Sequence, residues 1–281
     1  MLYGKLSYMS SRKFLLVLLL ILTIYLHAEL IKVSKYTHGY VSLLNEDGKV
    51  FLEFTDEKRS VYRKNFVFFG KAYDCAVYNA RIFVVGSSSG QGALYVCDLT
   101  GVAYFRQYGK EIEILQVIPA EKGLFLIGKQ KIGYTIMLTD FYGHIVWKRG
   151  ITERSDFIKA LIGRYLHVVF ERSVYTLDMR GNLIHKENYI DVSSAFLKDD
   201  GLYIIFNKKG YSITQDGRIF LEDVVEDVCV QGKDVYIMGR KGVWKNEELL
   251  LKGSFRGINC VKDCIIIWTD HDFFSLKESE R

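Results

Sequence analysis

Residues 115–147, LQVIPAEKGLFLIGKQKIGYTIMLTDFYGHIVW, decide the fold. Two apolar runs flank a polar turn at Glu121-Lys122, and the stretch ends on Asp140-x-x-Gly143-x-x-x-Trp147. In that ending Asp caps a tight turn through its side chain and Gly supplies a positive φ. The large residue four positions on is read as opening the next strand's buried face. The unit is therefore four short strands: two around the polar turn and two around the Asp/Gly turn.

Both halves recur. The strand–turn–strand half is found at Tyr40–Phe54, Asp74–Val85, Leu115–Ile127, Ile158–Phe170, Ser194–Phe206, Asp227–Met238 and Ile258–Trp268. Second strands starting at Lys49, Arg81, Gly123, Tyr165, Gly201, Asp234 and Cys264 give intervals of 32, 42, 42, 36, 33 and 30 residues. The Asp/Gly half recurs as Asp98-x-x-Gly101-x-x-x-Phe105, Asp178-x-x-Gly181-x-x-x-His185 and Thr214-x-x-Gly217-x-x-x-Leu221. The 18 Phe, 19 Tyr and 3 Trp, against the single proline Pro119, suit half-buried pleated strands.

Short strands at this spacing, with no helical period, are the pattern of propeller blades. A lone four-stranded sheet cannot bury both faces, whereas radial stacking covers each face with a neighbour. The reading is all-β: a seven-bladed β-propeller, with six or eight blades and a β-sandwich as the alternatives. The last repeat lacks a fourth strand, and the strand Leu30–Tyr36 precedes the first repeat. Pairing the two would close the ring.

The Asp140, Gly143 and Trp147 pattern resembles the repeat of quinoprotein-like propellers, which include quinoprotein dehydrogenases and non-catalytic outer-membrane assembly propellers. Phe105, His185 and Leu221 stand where those repeats carry Trp. A more distant similarity to WD-repeat proteins rests on periodicity alone. The resemblance implies a blade shape and no particular activity.

The N-terminus reads as a targeting segment. Lys5, Arg12 and Lys13 precede the apolar run Phe14–Leu26, and Leu26-His27-Ala28 offers a cleavage site. The domain reading is 1–28 as a signal peptide, or an uncleaved membrane anchor forming a hydrophobic helix, and 29–281 as the propeller. The expected address is extracytoplasmic, in a bacterial periplasm or secreted. The whole chain carries 38 basic and 33 acidic residues, and three of the basic ones lie in the leader. A near-neutral remainder argues against a nucleic-acid partner. A hydrophobic fraction of 49% with 25% charged residues excludes a disordered chain, a collagen and a multi-span membrane protein. Of the five cysteines, Cys260 and Cys264 are the expected disulfide in an oxidising compartment, because only three residues separate them. Cys229 and Cys260 hold similar points in adjacent first strands, which would suit a soft-metal site along the axis.

Catalytic constellations do not stand out. Gly86-Ser87-Ser88-Ser89-Gly90-Gln91-Gly92 has the composition of a phosphate cradle but reads as an inter-strand loop, since no Lys-Ser/Thr follows. Asp270-His271-Asp272 reads as a turn, and Glu222, Asp223, Glu226 and Asp227 as a solvated loop. No catalytic residue, metal or cofactor is expected.

Charge placement is more informative. The loops between second and third strands carry Lys58, Arg59, Lys129, Lys131, Arg172, Lys208, Lys209, Arg240 and Lys241. The opposite turns carry acids from Glu46 and Asp47 through Asp98, Asp140 and Asp178 to Glu247 and Glu248. One basic face would then dock something anionic. Two function classes follow. The first is a non-catalytic scaffold for protein binding or envelope assembly, a monomer or a subunit of a larger assembly, touching membrane only through residues 14–28. The second is an enzyme, quinone-dependent or glycan-active, working in the axial channel. Minimal loops favour the first.

Overall fold

The computed structural model of the chain describes residues 28–36, 39–98, 103–199, 201–208, 211–214, 219–261 and 264–277. The expected N-terminal helix lies outside them, and no helix occurs among the described residues. What forms is a β-propeller of six four-stranded blades and one three-stranded sheet.

Each blade is an antiparallel meander in chain order. The first holds β1 (Ala28–Tyr36), β2 (Gly39–Glu46), β3 (Lys49–Asp56) and β4 (Val61–Phe69). The second holds β5 (Lys71–Tyr78), β6 (Arg81–Ser88), β7 (Gln91–Asp98) and β8 (Ala103–Lys110). The third holds β9 (Glu113–Ala120), β10 (Gly123–Lys129), β11 (Tyr134–Thr139) and β12 (Ile145–Ile151). The fourth holds β13 (Phe157–Ile162), β14 (Leu166–Phe170), β15 (Ser173–Leu177) and β16 (Leu183–Asn188). The fifth holds β17 (Val192–Lys198), β18 (Gly201–Lys208), β19 (Tyr211–Thr214) and β20 (Ile219–Leu221). The sixth holds β21 (Val225–Gln231), β22 (Asp234–Gly239), β23 (Gly242–Lys245) and β24 (Glu248–Lys252). The last sheet holds β25 (Gly257–Val261), β26 (Cys264–Trp268) and β27 (Phe273–Lys277).

First strands touch one another around the axis, β1 to β5 and onward, with β25 returning to β1. Every junction between sheets holds its own apolar layer. Val41, Leu43, Leu52 and Phe54 meet Ile82 and Val84 at the first junction; Leu30 and Val33 meet Ile266 and Trp268 at the last. This explains the solid apolar runs of the second strands. Ile82, Phe83, Val84 and Val85 are all fully buried, because alternate side chains enter layers on opposite faces of the sheet.

A first strand still has one open edge, and side chains of the preceding sheet satisfy it. Asn45 bonds the N–H and C=O of Ala72 at 3.0 and 3.1 Å. Gln116 does the same for Ala160 at 2.7 and 3.2 Å, and Asn207 for Val225 at 3.2 Å each. Asp74 accepts the Val117 N–H at 3.0 Å. Gln231 donates to the Val261 carbonyl at 3.0 Å, and Asn259 to the Val33 carbonyl at 3.2 Å.

The outer turns lock neighbouring blades together. Asp140 Oδ1 accepts the N–H groups of Tyr142 and His144 at 2.8 and 2.9 Å, with Gly143 at φ 81°. Tyr108 of the preceding blade donates to the Gly143 carbonyl at 3.1 Å. One blade on, Arg149 donates to the Gly181 carbonyl at 2.8 Å, and Trp147 Nε1 donates to the Met179 carbonyl at 3.3 Å. A Cβ on Gly181 would lie 2.9 Å from the Trp147 ring, so glycine is needed there for space as well as for its φ of 83°.

Three expectations are corrected. Leu30–Tyr36 does not complete the last sheet: β1 pairs with β2 along its whole length and is the innermost strand of the first blade. Tyr40–Phe54 is consequently a second-and-third-strand hairpin, and residues 61–69 form one outer strand. Among the described residues, ring closure rests on packing plus a few bonds, among them Leu30 N–H to the Asp270 carbonyl at 3.1 Å. Second, Cys260 pairs with Cys229 rather than Cys264. The β25–β26 register sets Cys260 opposite Ile265 and Val261 opposite Cys264, so Cys260 and Cys264 face opposite sides of the sheet. Cys264 is buried against the first blade, whereas Cys229 and Cys260 meet in the layer beside the sixth. Third, the large residues after the Asp/Gly turns do not all begin a buried face. Leu221 is buried and Trp147 half-buried, but Phe105 and His185 are exposed at the rim.

The disulfide ties the first strands of the sixth blade and the last sheet across 31 residues of sequence, with Cα atoms 5.5 Å apart. Loop-closure entropy for such a link is worth roughly 3–4 kcal/mol, a large share of a typical domain's stability. The double variant Cys229→Ser/Cys260→Ser should lower the urea midpoint by that order. A thiol reductant should do the same to the native protein and add nothing to the variant. Equal midpoints for all samples would show that the link carries no stability.

Candidate functional site

The axial channel is the first place to look for chemistry. First strands bring Lys32 to Asp74 at 2.5 Å and Lys159 to Asp227 at 2.6 Å. Asp74 is buried, and its second oxygen takes the Val117 N–H; Lys159 also donates to the Val228 carbonyl at 3.4 Å. Burial pulls the Lys32 ammonium down, but the Asp74 carboxylate outweighs it and holds the pKa above the ordinary lysine value. These charges neutralise each other and tie blades together. Burial pushes the neighbouring Cys75 thiol up to about 12, so it stays protonated and unreactive. Among the described residues no cluster of three or more His, Cys, Asp or Glu side chains is placed to hold a metal.

The other sequence candidates resolve into structure. Ser89-Gly90, at φ 51° and 71°, is a two-residue hairpin turn between β6 and β7 rather than a phosphate cradle. Asp270 pairs with Arg256, and Asp272 caps the Phe273 N–H at 2.7 Å. The acidic cluster divides its work. Asp223 accepts the Lys241 N–H at 2.9 Å, Glu226 sits 3.8 Å from Arg240, and Asp227 pairs with Lys159.

The nine basic residues do not share one face. Lys129, Lys131, Arg172, Arg240 and Lys241 lie in or beside loops between second and third strands, as does the backbone of Lys208; Lys209 lies outside the described residues. Lys58 and Arg59 lie between β3 and β4, on the opposite face. The one-strand shift in the first blade causes this, and it moves Glu46 and Asp47 onto the face with the lysines. Arg59 is occupied at the ring seam, donating to the Phe273 carbonyl at 2.8 Å with its guanidinium 5.6 and 5.7 Å from the Phe273 and Phe274 ring centres. Lys129 lies 3.7 Å from Asp156, and Lys241 Nζ donates to the Glu222 carbonyl at 2.7 Å. Lys131 and Arg172 are exposed.

The rim carries a feature the sequence reading missed. Near the start of five outer strands stand paired apolar residues: Val61-Tyr62, Tyr104-Phe105, Ile145-Val146, Leu183-Ile184 and Leu249-Leu250. All ten are between 41 and 63% exposed. Cations follow in the same strands, at Arg63-Lys64, Arg106, Lys148-Arg149, Lys186 and Lys252. The available signal was an apolar pair four to six residues after the end of the third strand in five blades. A cleft of about 440 Å³ also opens between the fourth and fifth blades, lined by Arg164, Tyr165, His167 and Lys198. Burial pushes the His167 pKa down, and its Nδ1 lies 3.0 Å from Thr176 Oγ1.

Glu153 anchors the connector between the third and fourth blades beside the basic loops. It accepts from Ser173 Oγ at 2.6 Å and from the N–H groups of Arg154 and Ser155 at 2.8 and 3.0 Å. Burial raises its carboxyl pKa, but these bonds to the ionised form win and bring it to about 2. The folded value lies below the ordinary one of 4.5, so the stabilisation is complete above that pH and is lost as pH falls toward 2. The gap corresponds to roughly 3 kcal/mol. Glu153→Gln should flatten the acid limb of a stability–pH curve measured by urea unfolding between pH 5 and 2. An unchanged limb would assign acid sensitivity to other groups.

Comparison with known proteins bears on the fold. No protein-family model matches the sequence, and no curated protein matches it. Solved structures do resemble it. The Pan2 WD40 domain of Neurospora crassa aligns with a TM-score of 0.67 at 7% identity, covering 86% of each chain. Virginiamycin B lyase of Staphylococcus aureus aligns at 0.62 with 10% identity, over 88% of this chain and 93% of that one. The β-propeller domain of the Trilobed protease from Pyrococcus furiosus, which has an open velcro topology, aligns at 0.57 with 14% identity, over 90% and 97%. At these identities the likeness is one of fold.

Proposed function

We propose that this chain is a non-catalytic, extracytoplasmic seven-bladed propeller that docks partner proteins. The observation that carries the reading is the exposed apolar pairs repeated near the start of five outer strands. Recurrent apolar exposure rimmed by charge marks protein-binding surface. Propellers of the WD40 kind, which the fold resembles, generally mediate protein interactions. Ion pairs between first strands leave the axial groups committed to structure, which gives the enzyme reading no support.

In this reading the three-stranded sheet is the seventh blade. Residues 1–28 are a signal peptide, or an anchor if uncleaved, and 29–281 are the propeller. The disulfide supports an oxidising compartment, a periplasm or the exterior. The partner is a protein or an anionic envelope surface, met in part by Lys129, Lys131, Arg172, Lys208, Lys209 and Arg240. The near-neutral propeller fits no nucleic acid.

Crosslinking in native envelopes followed by mass spectrometry tests this. A defined partner set should be recovered, and the N-terminus should begin after Ala28. Retention of Met1 on a cytoplasmic pool would overturn the address. Capture should fall steeply between 0.1 and 1 M salt, as the Debye length shrinks from about 10 to about 3 Å. Reversing Lys129, Lys131, Arg172 and Arg240 to Glu should weaken it without unfolding, because exposed charges add little stability. Salt-insensitive capture, unaltered by the reversal, would place docking on the apolar rim alone.

A further inference from the structure

Six blades have an outer fourth strand, and the sheet of β25, β26 and β27 ends at its third. Among the described residues its outer edge is open in a definite pattern. Thr269 N–H bonds the Asp272 carbonyl at 2.8 Å, which makes 269 and 272 a hydrogen-bonded pair of the hairpin. Antiparallel pairs alternate, so Phe274 and Leu276 bond to β26, while Phe273, Ser275 and Lys277 turn their N–H and C=O groups outward. The Phe273 end is capped by Asp272 and Arg59. Ser275 and Lys277 present the pattern a further strand would pair with.

The wall beside this position belongs to the first blade. Phe51 is in the layer shared with the last sheet, and the β3–β4 register puts Phe66 opposite Phe51 and Phe69 opposite Lys49, on that same face. Phe51 and Phe66 lie 5.9 Å apart, Phe66 and Phe69 4.9 Å. Phe66 is 46% and Phe69 62% exposed, where a fourth strand of the last sheet would cover them. Lys64 Nζ lies 4.8 Å from the Phe51 ring centre, while Phe66 and Phe69 stay exposed on the blade next to this open backbone edge.

We propose that the last sheet takes its fourth strand from a partner protein, as an extended segment that pairs with Ser275 and Lys277 and seats alternate apolar side chains on Phe51, Phe66 and Phe69. This rests on the scaffold reading and names the partner element. Shape argues for a single strand. Four-stranded blades flank β27 on both sides, so it lies about 4.8 Å inside the rim, the width of one strand. The sheet edge of a second copy, with its own rim beside it, is too broad to enter. Charge adds to this. Arg59 uses one N–H on Phe273, and a guanidinium has five, so a carboxylate on the incoming segment gains a bidentate partner.

The test uses the purified full chain and a fluorescent nine-residue peptide alternating threonine and valine, with one terminal aspartate. Hydrogen exchange at Ser275 and Lys277 should slow about tenfold or more on adding the peptide, in step with its anisotropy. Ser275→Pro removes an outward N–H while Phe274 and Leu276 keep pairing with β26, and it should abolish binding. Phe66→Ser/Phe69→Ser alters exposed positions only and should weaken it severalfold. Ile190→Ser, an exposed apolar position between the fourth and fifth blades, should leave it unchanged. Absence of slowing in the native protein, or equal binding by all variants, overturns the proposal. So does protection of Ser275 and Lys277 before any peptide is added: in a monomer that assigns the position to the chain's own N-terminal segment, in a dimer to a second copy. Envelope partners captured equally by Ser275→Pro would leave the scaffold reading standing and remove only this docking position.

Discussion

The open edge of the innermost strand is the constraint around which this molecule is built. Every sheet here has such an edge near the axis, and neighbouring first strands touch without pairing as one continuous ladder. Buried backbone groups left without partners would cost more than most packing contacts return. The solution is a side-chain clasp from the preceding sheet. Asn45, Gln116 and Asn207 each present an amide that donates to a carbonyl and accepts from the N–H of the same residue, so one side chain imitates a short piece of strand. Asp74 can only accept, and its charge needs Lys32 beside it. The clasp and the ion pair are therefore one device.

That device has a functional consequence. Polar groups near the axis are consumed in holding blades together, and the thiol among them is kept protonated by burial. The periphery offers apolar surface for recognition. There the outer strands are covered on one side by the turn of the next blade, as Trp147 and Arg149 cover the turn at Gly181, and are open to solvent on the other. Repetition then multiplies a modest local feature: an exposed apolar pair near the start of an outer strand recurs in five blades.

The architecture was legible because second strands such as Ile82–Val85 are buried on both faces and so read as solid apolar runs at a regular spacing. Six of the seven strand–turn–strand segments were placed on the correct strands. The first was not, since Tyr40–Phe54 has the same two-strands-and-a-turn signature in the second and third positions. Leu30–Tyr36 was then left without a blade, and the missing fourth strand of the last repeat offered it a place; in the structure Lys32 of this strand meets Asp74. That single shift sent Lys58, Arg59, Glu46 and Asp47 to the wrong faces. The cysteine error was smaller still: proximity in sequence favoured Cys260 with Cys264, while a one-residue offset in register turned them to opposite sides. The clasps were illegible for a different reason. Asn and Gln have no sequence pattern that separates a clasp from a turn, and only the position of the neighbouring blade does.

Among the described residues the ring closes without strand exchange, and this shapes the rest of the seam. A ring that shared a blade between its two chain ends would be held there by a ladder of backbone bonds. Here the seam has Asn259 to Val33, Leu30 to Asp270, Arg59 to Phe273, and the layer of Leu30, Val33, Ile266 and Trp268. None of these is cooperative in the way a ladder is, so local opening should begin at this junction. The disulfide stands one junction away, on the other side of the same sheet. It cannot hold the seam directly. It fixes the last sheet to the sixth blade, so that an opening seam releases an edge and not a whole sheet, and the apolar layer can re-form against a partner still in register. The covalent link thus anchors, from its inner face, the one sheet whose outer edge is open among the described residues.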